Sequence, residues 1–274
     1  MSIIAIEPNN TKFSIKNANA LALCSQLAYE KPDVIYQKMT EHGFHSEFIT
    51  SGAKKSPTDT DSQLFIGHNG TAIVIAFRGT TTIQDWMIDA KIGFTNTPHG
   101  KVHRGFNTAL DSVWPTLMDT LKQKQIYAQS LWITGHSLGG ALATLCAARL
   151  SLDEHKPING LYTFGQPRVG DRQYSREIDN ELKHRYFRFV NNNDIVTRLP
   201  TRLGSYNHAG SVLFFDSAGK LHDDISYWYT FLESIKGSFE DKLDLIPAFA
   251  ENHLMTRYLE NISKNYSRIT GFSL

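Results

Sequence analysis

The sequence predicts an α/β protein: a mostly parallel central sheet covered by helices on both faces. Three observations lead there. Apolar runs of strand length recur along the chain, stretches with helical spacing alternate with them, and one Gly-x-Ser-x-Gly turn joins such a run directly to such a helix.

The elements follow in order. Ala18–Tyr29 is apolar on more than one face and is expected to be a buried helix. Thr50–Ser62, TSGAKKSPTDTDS, is short of apolar residues and rich in turn formers, so it is a loop. Leu64–Gly67 and Ala72–Phe77 are compact enough in length and apolarity for buried strands. Phe106, Leu110, Val113, Leu117 and Leu121 mark a helical face, which Pro115 must kink or break near Trp114. Leu131–Thr134 is a third strand, and Gly140–Leu150 a helix dense in small residues. Leu161–Phe164 and Tyr186–Val190 are two further strands. VLFFDSAGKL reads differently, as a hairpin turning at Ser217–Gly219, which implies an antiparallel addition.

Composition bounds the function. At 274 residues, with only about fifty before the Thr50–Ser62 loop, one domain over 1–274 is expected. Lysine plus arginine number 28 and aspartate plus glutamate 27, a net charge of +1, which argues against nucleic acid as a partner. No segment approaches the ~18 apolar residues of a spanning helix, so no transmembrane segment is expected. The N-terminus, MSIIAIEPNNTK, shows no basic leader, so a cytoplasmic location or leaderless export is expected. Cys24 and Cys146 lie in apolar helical stretches and read as free buried thiols. There is no Cys/His cluster with metal spacing, so neither metal nor organic cofactor is expected.

Chemistry concentrates in Leu131-Trp-Ile-Thr-Gly135-His-Ser137-Leu-Gly139-Gly140. A serine on a sharp strand-to-helix turn is held in a strained conformation, with its hydroxyl above the sheet edge. Gly135 and Gly139 leave room at that turn, and the helix N-terminus favours developing negative charge. A serine hydroxyl becomes a nucleophile only when a base takes its proton and an acid orients the base. In the α/β-hydrolase fold these follow in the order Ser, Asp, His. Asp194 has the right context, just beyond the Tyr186–Val190 strand at the sheet's carboxyl edge. The histidines after it are His208, His222 and His253. His222, before Asp223 and Asp224, reads as a surface helix start, and spacing leaves His208 and His253 open.

These blocks together resemble the class 3 lipases. The resemblance is carried by Ala76-Phe-Arg-Gly-Thr80, Asp85-Trp86, Val102-His-Arg-Gly-Phe106, Gly135-His-Ser-Leu-Gly-Gly140, Thr163-Phe-Gly-Gln-Pro-Arg-Val-Gly170 and Asn193-Asp-Ile-Val-Thr-Arg-Leu-Pro200. It implies an α/β-hydrolase fold and hydrolysis of lipid-like or other hydrophobic esters, with a lipid–water interface as the setting. It further implies Ser137 as nucleophile, Asp194 as acid and His253 as base, on a loop before a terminal helix. His208 then matches a neighbour of the site without the base role. Thr80 and the backbone N–H of Leu138 match the oxyanion hole. For Arg78, Arg168 and Asp171, structural ion pairing is the expected explanation.

In Thr82–Lys91, Ile83, Trp86, Met87 and Ala90 share one helical face. In the fungal members the matching stretch is a movable lid, although a short fixed helix would give the same spacing. The resemblance also leaves room for phospholipase A1 or feruloyl-type esterase activity, and for a catalytically silent binding relative.

Overall fold

The computed structural model describes residues 4–52, 61–80, 93–123, 129–201, 205–223 and 251–271. Helix α1 (Ile15–Leu27) starts where the Ser14 side chain accepts the Asn17 N–H, and α2 (Pro32–Glu41) starts on a proline that needs no donor there. Strands β1 (His45–Thr50), β2 (Gln63–His68) and β3 (Ala72–Phe77) follow, then the hairpin β4 (Phe94–Thr97) and β5 (Gly100–His103).

The apolar face from Phe106 to Leu121 falls on two helices, α3 (Arg104–Asp111) and α4 (Trp114–Gln123), with Pro115 in the first turn of the second. Next come β6 (Ser130–His136), α5 (Leu138–Ala148), β7 (Gly160–Phe164), α6 (Arg172–Glu181) and β8 (Tyr186–Asn191). Finally β9 (Ser211–Phe215) and β10 (Leu221–His222) form the expected hairpin, and α7 (Met255–Thr270) closes on Gly271 in the left-handed region.

Eight of these strands form one sheet in the order β1-β2-β3-β6-β7-β8-β9-β10. The run from β3 through β6, β7 and β8 to β9 is parallel, and the two margins are antiparallel. This is the expected α/β-hydrolase arrangement. Strand alternation divides the core in two. Ile73, Ile75 and Phe77 of β3 face α3, α4, α5 and α6, while Ala72, Val74 and Ala76 face α1, α2 and α7. Burying both faces explains why the central strands read as continuous apolar runs rather than alternating ones. Cys24 and Cys146 are free and buried on opposite faces of the sheet, and burial pushes the Cys24 thiol up to about 12.

One reading needs correction. His222 does not start a helix: it ends β10, with Nε2 at 2.9 Å from Asp216 Oδ2 across the hairpin. The Asp216-Ser-Ala-Gly turn brings the two residues together, and sequence adjacency to Asp223 and Asp224 concealed that pairing.

Candidate active site

The site is built at the carboxyl ends of the parallel strands, where β6, β7 and β8 each hand over to a turn. At the end of β6 the chain reverses into α5 through Ser137, whose φ of 58° and ψ of −128° lie outside the ordinary regions for a side-chain-bearing residue. Such a conformation costs about 1–3 kcal/mol and persists only where its surroundings enforce it. Here the Ser137 N–H donates to the Phe164 carbonyl of β7 (2.9 Å), and the Ser137 carbonyl accepts the Gly140 N–H (2.9 Å). The flanking glycines are required by contact. A Cβ on Gly135 would run into the Gly139 carbonyl, and one on Gly139 into the backbone of Phe77 and Arg78. The elbow is thereby packed against the end of β3, the strand that leads to Thr80.

At the end of β8, Asp194 is fully buried and held on every side. Its Oδ1 accepts the Val196 N–H at 3.0 Å, and its carbonyl accepts the Thr197 hydroxyl at 2.8 Å. The Tyr258 hydroxyl of α7 donates to Oδ2 at 2.6 Å while accepting the Asn191 N–H at 3.0 Å. His253, also fully buried, places Nδ1 at 2.9 and 2.8 Å from the two carboxylate oxygens. A carboxylate accepts, so Nδ1 carries a proton, and in the neutral form of the ring Nε2 presents a lone pair. Among the described residues, that Nε2 and the Ser137 Oγ are both buried without a hydrogen-bond partner. Two unsatisfied polar atoms, one a latent acceptor and the other a hydroxyl donor, are costly in a core and informative in a site.

Gly165, at the end of β7 with φ 58°, underlies this pair: a Cβ there would stand 2.8 Å from Asp194 Oδ2 and 3.0 Å from His253 Nδ1. In the sequence Gly165 is one residue of the Thr163–Gly170 block, with no role of its own signalled beyond a glycine directly after a strand, and Tyr258 is a tyrosine five positions after His253 with no other local mark.

His208 lies elsewhere. Its Nε2 donates to the Thr197 carbonyl at 2.6 Å and steadies the loop after Asp194. Leu138 is the first residue of α5, so its N–H has no acceptor within the helix. Thr80 follows Gly79, whose backbone packs on the carbonyl of His136, one residue before Ser137. Ile83, Trp86 and Met87 lie outside the described residues.

The structural role expected of Arg78, Arg168 and Asp171 is carried by hydrogen bonds. Arg78 donates to the Gln63 side chain, Arg168 to the carbonyls of Arg198 and Pro200, and Asp171 caps α6 by accepting the Tyr174 N–H. Among the described residues no helix is long and apolar enough to cross a membrane.

Residues 74–204 match the class 3 lipase family. Triacylglycerol lipase OBL1 of Arabidopsis thaliana is 30% identical over 78% of this chain and 52% of its own length. Phospholipase A(1) DAD1 of the same plant is 31% identical over 47% of the chain and 33% of its own length. The solved Rhizomucor miehei triacylglyceride lipase superposes with a TM-score of 0.61 at 26% identity, covering 76% of this chain and 81% of that one. The chain spans about half the length of the curated relatives it matches.

Proposed function

The chain belongs to the class 3 lipase family, and from that premise we propose that it hydrolyses lipid-like carboxylic esters through an acyl-Ser137 intermediate. The observation that carries the reading is the buried Asp194–His253 pair, whose Nε2, like the serine hydroxyl on the strained elbow, is buried without a partner among the described residues. In the proposed cycle His253 Nε2 takes the Ser137 proton as Oγ attacks the ester carbonyl. The N–H groups of Leu138 and Thr80 receive the oxyanion, and Asp194 stabilises the imidazolium. His253 then protonates the departing alcohol, and water repeats the sequence on the acyl-enzyme to release the acid.

Burial of both reactive atoms supports a second element of the proposal. Ester reaches Ser137 only after the surface over it opens, and an apolar lipid–water interface favours the opening because it accepts the apolar groups that opening exposes. Leu254, beside His253, is already 49% exposed and adds an apolar group that such an interface accepts.

Hydrolysis of p-nitrophenyl esters from acetyl to palmitoyl, below and above substrate aggregation, tests both parts. The expected result is a rate that rises on aggregation and favours long acyl chains. Equal rates of wild type and Ser137→Ala on every ester would remove the activity. A second reading, phospholipase A1, is favoured by the DAD1 likeness. Phosphatidylcholine offered beside triacylglycerol separates the two by initial rate.

A further inference from the structure

The three parts of the proposed machinery meet at a pair of side chains that takes no step in it. Tyr29, just past the end of α1, places Oη at 2.7 Å from His136 Nδ1. On the other side of the ring, His136 Nε2 lies 2.6 Å from the backbone carbonyl oxygen of His253. A carbonyl only accepts, so Nε2 carries a proton. Burial first, and the neighbouring His253 second, hold His136 well below the usual histidine range, so the ring is neutral and Nδ1 is a bare acceptor. The Tyr29 hydroxyl must therefore donate to it. Against the same hydroxyl oxygen packs the backbone of Gly79, the residue before Thr80.

We propose that Tyr29 and His136 are positioning residues. A directional chain, Tyr29 O–H to His136 Nδ1 and His136 Nε2–H to the His253 carbonyl, fixes the base against the elbow and the Gly79–Thr80 turn. His136 is one peptide from the nucleophile, so its ring sets the separation between Ser137 and the His253 backbone. The neighbouring carbonyl, that of Asn252, is held independently by the Asn191 amide at 2.8 Å. Two successive carbonyls on the approach to α7 are thus pinned, one from β8 and one from the elbow. The two imidazoles lie 4.6 Å apart between centroids, tilted by 35°, leaving little room for His253 to drift toward His136. This inference rests on the ester-hydrolase reading for its kinetic consequence, although the proton arrangement stands without it.

The test has two arms. In the kinetic arm, Tyr29→Phe, His136→Gln and His136→Leu are compared with wild type on a soluble aryl ester, with rates normalised to sites titrated by a fluorophosphonate. A misplacement of about 1 Å costs about 10²-fold in rate. Tyr29→Phe and His136→Leu are therefore expected to lower kcat per titrated site by about 10–100-fold, with KM within about twofold. His136→Gln, which retains one donor and one acceptor, recovers part of the loss. Normalising to titrated sites removes any contribution from misfolded protein. Unchanged kcat per site in both Tyr29→Phe and His136→Leu would overturn the proposal.

In the second arm, side-chain nitrogen NMR of wild type reads the His136 ring directly. A neutral ring protonated at Nε2, with its Nδ1 resonance displaced in Tyr29→Phe, is expected. A ring protonated at Nδ1 would overturn the proposal whatever the kinetics. If wild type neither hydrolyses esters nor labels at Ser137, the ester-hydrolase reading fails alone, and this arm still decides the proton arrangement.

Discussion

Tyr258 is the place where a single atom does most to hold the candidate acid. Its hydroxyl donates to Asp194 Oδ2 at 2.6 Å and accepts the Asn191 N–H at 3.0 Å. Tyr258→Phe removes that atom and keeps the ring, which packs edge-on against Phe164 and Phe215. A hydrogen bond to a charged group contributes about 1.5–3 kcal/mol, and the orphaned Asn191 N–H adds about 1 kcal/mol more. The expected loss of stability is therefore about 2.5–4 kcal/mol, or several degrees in Tm at roughly 2–4 °C per kcal/mol. Asp194 keeps its bonds to Val196 and His253, so the pair survives with one restraint fewer. A carboxylate freed of one donor is less firmly oriented beneath His253, so turnover should fall by about tenfold, less than the roughly 10²-fold cost of a full 1 Å misplacement. Urea titration and kcat per titrated site read both effects. A Tyr258→Phe protein with wild-type stability and wild-type turnover would overturn this role for the hydroxyl.

Three further outcomes are expected. Gly165→Ala places a methyl 2.8 Å from Asp194 Oδ2 at a φ of 58°, so hydrolysis should fall by about 10²-fold or more, read as kcat per titrated site. His208→Asn loosens the loop after Asp194 and should keep activity within about tenfold, whereas His253→Ala should lose on the order of 10⁴ or more. An unfolded histidine takes its proton near pH 6.5, while buried His136 resists until well below that. The unfolded state then binds the extra proton, so this contribution to stability is full above about pH 6.5. It falls by up to about 1.4 kcal/mol per unit as pH drops below that value. Denaturation at pH 7, 6 and 5 should show a shallower loss in His136→Gln.

The fold was legible where burial writes itself into sequence. β3 and β6–β8 are covered on both faces and read as apolar runs, and α5 reads as an all-apolar helix because it lies inside the core. β1 and α6 leave no such pattern. His45–Thr50 lies at the sheet margin with most residues part-exposed, so no apolar run marks it. Arg172–Glu181 buries only Tyr174, Ser175 and Ile178 beneath a charged surface. At the site, Ser137 and Asp194 were legible from local context, because an elbow and a strand end are local objects. The histidine is not legible that way: 59 residues separate His253 from Asp194, spacing leaves it level with His208, and only the family resemblance favours it ahead of the tertiary contact. Tyr29, more than one hundred residues from His136, carries no local signature at all.

Acyl transfer through Ser137 is a covalent step, and intact-protein mass spectrometry after fluorophosphonate treatment reads the reactivity of that serine. One adduct per chain is expected, mapped by peptide sequencing to Ser137, absent in Ser137→Ala and formed far more slowly in His253→Ala. An adduct on another residue, or labelling of His253→Ala at the wild-type rate, would contradict this mechanism.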